Sequence, residues 1–272
     1  MKKLLKTENL ICLTLLGLPL YLIRFSFIGI PTNVLDALES AVIISWIFSR
    51  QFNVIRLGEF VKKNRPYLIS FGLILIGLAT ALLLNPKYLS GAGLIKSLFL
   101  LPTLFLLAGA DVMDEQGIKK AFRCLLWSVF AVASLSLVYY LIGQRTFDGR
   151  LQGIFNSPNY LAMYLAPGII ITLNYLNKNK RVYGAALVIV LCAFYLTYSY
   201  AAWIALALAL GISAILQKRV SWKKTGLVII IAALFIIFQL KTSKWSNFSS
   251  LSSRSSFSSR IMIWRSAGKI IV

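Results

Sequence analysis

The chain has 272 residues, 58% of them hydrophobic, and a formal net charge of +21 from 29 Lys and Arg against 8 Asp and Glu. A mean hydropathy of +0.78 excludes an ordinary soluble globular domain, and basic residues gathered in short clusters between apolar blocks read as membrane topology, which excludes nucleic acid as their partner. There is no His, and Cys12, Cys124 and Cys192 form no CxxC pair, so neither a metal site nor a disulfide framework is supported and the thiols read as core residues.

Apolar blocks of membrane-crossing length recur along the chain and predict about nine spans, at 10–30, 33–49, 66–84, 93–110, 122–142, 159–176, 182–199, 201–216 and 225–240. The predicted fold is all-α: a polytopic transmembrane helical bundle over 1–240, followed over 241–272 by the start of a large external loop. Lys2, Lys3 and Lys6 precede the first block without a small-x-small cleavage site, so the block reads as an uncleaved first helix. Asp36 and Glu39 lie on one side of the second span, with Arg24 near the outer end of the first. Charges at that depth are expected to pair, while Lys96 is expected to snorkel to the outer face.

Alternating sides from a cytoplasmic N-terminus puts five basic clusters inside, around Lys2, around Arg56, at Lys119/Lys120/Arg123, at Lys178/Lys180/Arg181 and around Lys223, which together hold most of the 29 Lys and Arg. The spans meeting at Ser199 and Tyr200 form either a tight hairpin or one bent element. Lys241 to Arg260 is serine-rich, too polar to span and without periodicity. At Ala267 to Val272 an apolar pattern restarts, which predicts that the sequence is a piece of a longer protein. No internal repeat and no second soluble domain is visible.

Five arginines, Arg145, Arg150, Arg254, Arg260 and Arg265, fall outside on this topology, where the positive-inside rule gives them no reason to be. A guanidinium is a planar fork of donors that matches phosphate oxygens, so two or three of them suit a diphosphate. Alternatively they snorkel to lipid headgroups or pair with Asp148. In Gly149 to Ala162, Arg150 and Gly153 lead into Asn156-Ser157-Pro158-Asn159. Pro158 disfavours helix at Ser157, and Asn159 is expected to cap the next helix, leaving its first amides and positive end near the outer surface, either as a plain capped turn or as an anion site beside Arg150. Arg260 and Trp264 are four apart, on one face of an interfacial helix or of a lid helix.

The stretch 150–162, with its arginine, glycine, aromatic and Asn-x-Pro-Asn pattern, resembles the O-antigen ligase and O-antigen polymerase family of bacterial integral membrane proteins. Ser259-Arg260-Ile261-Met262-Ile263-Trp264 is similar to the opening of that family's large external loop. The resemblance implies a metal-free and cofactor-free transferase that moves a glycan from undecaprenyl diphosphate to a glycan, lipopolysaccharide-core, lipid or protein acceptor at the external face of the cytoplasmic membrane. Carried over by position, Arg150, Arg260 and Asn159 hold the donor diphosphate, supported by Gly153, Asn156, Pro158 and Trp264. The family's general-base histidine has no counterpart here, which leaves open whether that residue lies beyond Val272 or the chain does not catalyse. At Thr197-Tyr198-Ser199-Tyr200, Tyr200 stands where relatives place a further arginine. A transporter of an anion or lipid-linked precursor, coupled through Asp36 and Glu39, and a non-catalytic membrane protein are the alternatives.

Overall fold

Glycine and proline interrupt the first apolar block, and the result is not one long helix. The structure, a computed structural model, describes residues 6–27, 29–48, 58–59, 62, 65–84, 88–146 and 149–216. Helix α1 (Thr7–Leu16) ends at Gly17, and Leu18–Leu22 form a 3-10 turn with Pro19 in its first positions. An antiparallel hairpin follows, β1 (Arg24–Phe27) paired with β2 (Ile30–Asn33), with Gly29 at φ +76° in its connection. The expected all-α fold and the span at 10–30 are both corrected here: Gly17 and Pro19 end the helix, and the alternating Phe25 and Phe27 before a glycine turn favour a strand.

The remaining elements are α2 (Val34–Phe48), α3 (Arg65–Leu83), α4 (Tyr88–Ile95), a π-helical segment Lys96–Leu100, α5 (Leu101–Val112), α6 (Glu115–Leu141), α7 (Pro158–Tyr175), α8 (Lys180–Leu196) and α9 (Tyr200–Leu216). Among the described residues two helices are long and apolar enough to cross a membrane, the continuous Leu89–Val112 and Glu115–Leu141. The expectation of about nine spans is therefore overturned. Several apolar runs counted as spans fold into shorter helices such as the 15-residue α2, which rises only about 22 Å against the ~30 Å of a hydrocarbon core. The predicted span at 225–240 and the external segment 241–272 lie outside the described residues. Only 17% and 33% of the apolar windows of the two long helices are buried, so among the described residues most of their hydrophobic surface is not taken up by packing. The core helix of a soluble protein is, by contrast, mostly buried.

The chain divides into two compact units, Met1–Tyr198 and Ser199–Val272. Of the second, the described part is α9, joined to Ser199 by a Trp203 N–H bond to the Ser199 carbonyl. Within the first unit, Ile11 of α1, Val42 and Trp46 of α2 and Ala108 of α5 form one buried cluster. Trp46 Nε1 donates to Asp111 Oδ2 at 2.9 Å, which satisfies the indole inside that cluster. Helices α6, α7 and α8 pack on one another, and Val129, Leu165, Ile169, Val190 and Phe194 on them are all at most 1% exposed. Gly168 lets α7 approach α6 closely, since a Cβ there would lie 2.4 Å from Val129 Cγ1. Ser128 Oγ, 2.6 Å from the Leu16 carbonyl and 2.7 Å from Tyr164 Oη, ties α6 to the end of α1 and to α7.

Buried charges resolve differently from expectation. Asp36 pairs with Lys96 at 3.0 Å and accepts further bonds from Ser97 Oγ and Asn33 Nδ2. Lys96 therefore does not snorkel, and Arg24, exposed in β1, is not the partner. The three cysteines are free, but only Cys12 is buried; Cys124 is half-buried and Cys192 is exposed. Apolar sequence neighbours do not distinguish a core face from an outward face, and Cys192 lies on an outward one.

Candidate anion site at the start of helix α7

The loop between α6 and α7 is pinned by apolar residues before any polar contact is made. Leu151 is fully buried and Phe155 is 4% exposed, the latter against the rings of Tyr164 and Tyr21 with centroids 5.5 and 6.3 Å apart. Leu151 N–H donates to the Leu196 carbonyl at 2.9 Å, so the loop is stitched to the end of α8. Thr146 closes a turn around Arg150: its Oγ1 accepts from Arg150 N–H at 2.9 Å, and both its N–H and its hydroxyl donate to the Arg150 carbonyl at 3.1 Å. Gly149 at φ +74° and Gly153 at φ +59° supply the left-handed backbone on either side of that arginine.

The Arg150 guanidinium is oriented by two neutral oxygens. Nε donates to the Thr197 carbonyl at 2.8 Å, and one terminal nitrogen donates to Asn159 Oδ1 at 2.9 Å. Thr197 caps the C-terminus of α8, where carbonyls lack helical partners and a cation is favoured by the helix dipole. Arg150 thus bridges the negative end of one helix and the first turn of another. The next residue, Tyr198, sits at φ 49°, a left-handed conformation that a bulky side chain rarely adopts.

Helix α7 starts one step earlier than anticipated. Ser157, extended at φ −151°, is the N-cap, and its Oγ accepts from the Asn159 N–H at 3.3 Å; Pro158 occupies the first helical position. Asn159 is therefore not the cap. Proline is pre-organised for the first helical position, which moves the cap back to Ser157 and leaves the Asn159 side chain for Arg150. The amides of Tyr160 and Leu161 both bond the Ser157 carbonyl, so the first turn is satisfied within the chain and does not present open donors.

Of the site residues expected from the sequence, the structure brings Arg150 and Asn159 into contact, with Gly153 and Pro158 shaping the turn between them. Asn156 is exposed. Arg260 and Trp264 lie outside the described residues, as do Asp148, Arg254 and Arg265. Arg145 folds back on Tyr140, its guanidinium 3.9 Å from the ring centroid. Sequence reasoning missed the Thr197 carbonyl, which no side-chain motif can announce, and Thr146, whose hydroxyl four residues before Arg150 was the available signal. It missed Ser136 as well: its Oγ is buried without a hydrogen-bond partner among the described residues and lies where a Gly153 Cβ would need to stand. No group of three or more His, Cys, Asp or Glu that could hold a metal occurs among the described residues. No protein family, curated protein or solved structure matches the chain.

Proposed function

We propose that the chain acts on a lipid-linked glycan at a bacterial cytoplasmic membrane, as a transferase of the O-antigen ligase and polymerase kind, with Arg150 and Asn159 at the donor diphosphate. The observation that carries this reading is the fixed guanidinium at the start of α7, held by the Thr197 carbonyl and Asn159 Oδ1. Orientation beforehand is what a transition-state stabiliser needs, because no reorganisation is then required as charge develops. In glycan transfer an acceptor hydroxyl oxygen bonds the anomeric carbon while the bond from that carbon to the diphosphate oxygen breaks. Negative charge then builds on the departing undecaprenyl diphosphate, and Arg150 is the group that meets it. The acceptor hydroxyl loses its proton to water as the new bond forms.

Charge placement along α6 supports the same side for the site. Lys119, Lys120 and Arg123 lie near the start of Glu115–Leu141, a helix that rises about 40 Å, and Arg150 follows its other end. With the basic cluster cytoplasmic, Arg150 faces outward. The test is transfer from an undecaprenyl-diphosphate oligosaccharide in membranes carrying Arg150→Ala or Arg150→Lys. The expected loss for alanine is about 100-fold or more in turnover, as for removal of one charge-stabilising donor, with partial activity for lysine. Wild-type transfer by both variants overturns the assignment.

One observation favours a second reading, transport of an anion or lipid-linked precursor. Glu39 is 6% exposed and has no hydrogen-bond or ion-pair partner among the described residues, as expected of a carboxylate that exchanges a coupling ion. Counterflow in proteoliposomes without covalent transfer, abolished by Glu39→Gln, would select it.

A further inference from the structure

We propose that the β1–β2 hairpin is a lipid-interface anchor: it rests at the headgroup boundary of a bilayer with Phe25 and Phe27 at the acyl edge, and sets the depth at which Leu89–Val112 crosses. All four residues of β1 are exposed. Ile23 is 55% exposed, Phe25 45% and Phe27 66%, with Arg24 between them. Phenylalanine rings on one side and a cation on the other are the composition of segments that lie where hydrocarbon meets headgroups.

The exposure does not come from a loosely attached hairpin. Lys96 Nζ donates to the Pro31 carbonyl at 3.1 Å and to Thr32 Oγ1 at 2.8 Å, while also pairing with Asp36. Pro31 packs so closely on Gly93 that a Cβ there would stand 3.0 Å from the Pro31 Cδ and carbonyl oxygen. At the other end of the hairpin, Leu89 Cδ1 lies 3.6 Å from where a Gly29 Cβ would be. The hairpin is thus clamped along the first two turns of a helix able to span.

Length places the boundary at the same level. The 24 residues of Leu89–Val112 rise about 36 Å, whereas a hydrocarbon core of ~30 Å needs about 20 residues. Counted back from Val112, the excess of about four residues falls on Leu89 to Ala92, level with the Gly29 turn of the hairpin, while Pro31 and Thr32 meet Gly93 and Lys96 about one turn further in. A two-stranded sheet also has outer backbone groups that no neighbouring strand pairs, and these need water, which keeps it at the interface and out of the hydrocarbon. A bilayer is favoured over a protein partner because the exposed apolar surface continues down the same helix through Leu94 and Leu98, at 61% and 64%. A bilayer covers that surface and the hairpin together.

The experiment replaces Phe27 with 4-trifluoromethyl-phenylalanine in the full chain, reconstituted in phosphatidylethanolamine and phosphatidylglycerol nanodiscs. Fluorine line broadening by dissolved oxygen is compared with broadening by a water-soluble nickel chelate. The same probe at Leu106, 67% exposed on α5, reports hydrocarbon. The oxygen-to-nickel ratio at position 27 is expected several-fold above that of the free amino acid in buffer and several-fold below that at Leu106. A ratio equal to the free probe, a ratio equal to Leu106, or protection from both reagents by a covering protein surface overturns the proposal. A nickel-dominated signal at Leu106 instead overturns the spanning of Leu89–Val112 on which it rests. A probe at Phe25 repeats the measurement should the first variant fail to fold.

Discussion

Replacing Gly153 by alanine tests whether the loop that carries Arg150 is held by backbone conformation and close packing together. At φ +59° an L side chain adds about 1–2 kcal/mol of left-handed strain. Its Cβ would stand 2.1 Å from Ser136 Oγ and 2.8 Å from Ser136 Cβ, an overlap in a well-packed interior that costs a further ~1–3 kcal/mol. The total, about 2–5 kcal/mol, is a large fraction of the ~5–15 kcal/mol that stabilises a typical fold. Unfolding in mixed micelles, followed by circular dichroism, measures it. Ser136→Gly in the same chain separates the two contributions: it removes the steric part, about 1–3 kcal/mol, and leaves the backbone part in place. The reasoning fails if Gly153→Ala lies within ~0.5 kcal/mol of wild type, or if Ser136→Gly recovers nothing.

Lys96→Met leaves the Asp36 carboxylate, 3% exposed, without its cation, and is expected to destabilise by about 3–5 kcal/mol; combining it with Asp36→Asn should cost less than the two single changes added, as read by the same unfolding assay. Trp46→Phe removes the donor to Asp111 Oδ2 and is expected to lose ~1–3 kcal/mol, a loss that should shrink when Asp111→Leu removes the acceptor as well. Gly168→Ala forces a methyl against Val129 between α6 and α7, so a melting temperature equal to wild type would contradict the close crossing, where ~1–3 kcal/mol of overpacking is expected.

What the sequence disclosed depended on whether the signal was local. Helix starts were less legible than helix existence, since Asp114 and Asn179 cap α6 and α8 ahead of the expected spans, but Arg150 with Asn159 stood out because only nine positions of loop and turn sequence part them. The cap itself was misassigned by two residues, since Ser157 and Asn159 are both competent and Pro158 decides between them. Longer-range chemistry was not legible: Lys96 meets Asp36 across 60 positions, and Arg150 meets a backbone carbonyl at Thr197 that carries no residue signature. Hydropathy was read too generously. Runs such as 10–30 have the composition of a span, but Gly17, Pro19 and Gly29 punctuate the backbone, and composition averaged over a window is blind to punctuation.

The π-helical segment Lys96–Leu100 links two sets of contacts that must both be met: Lys96 and Ser97, at its start, on Asp36, and Ala108, beyond its end, on Val42 and Trp46. A π segment accommodates one more residue than the α-helix around it, and each residue of an α-helix turns the axis by about 100°. The two halves of Leu89–Val112 are therefore set in a phase that an uninterrupted α-helix of this sequence would not give. Deleting one residue from the segment would regularise the hydrogen bonding yet swing either the ammonium or the alanine face about 100° away from α2. The phase offset makes this stretch of the chain intolerant of single-residue insertion or deletion, although most of its side chains are interchangeable apolar ones.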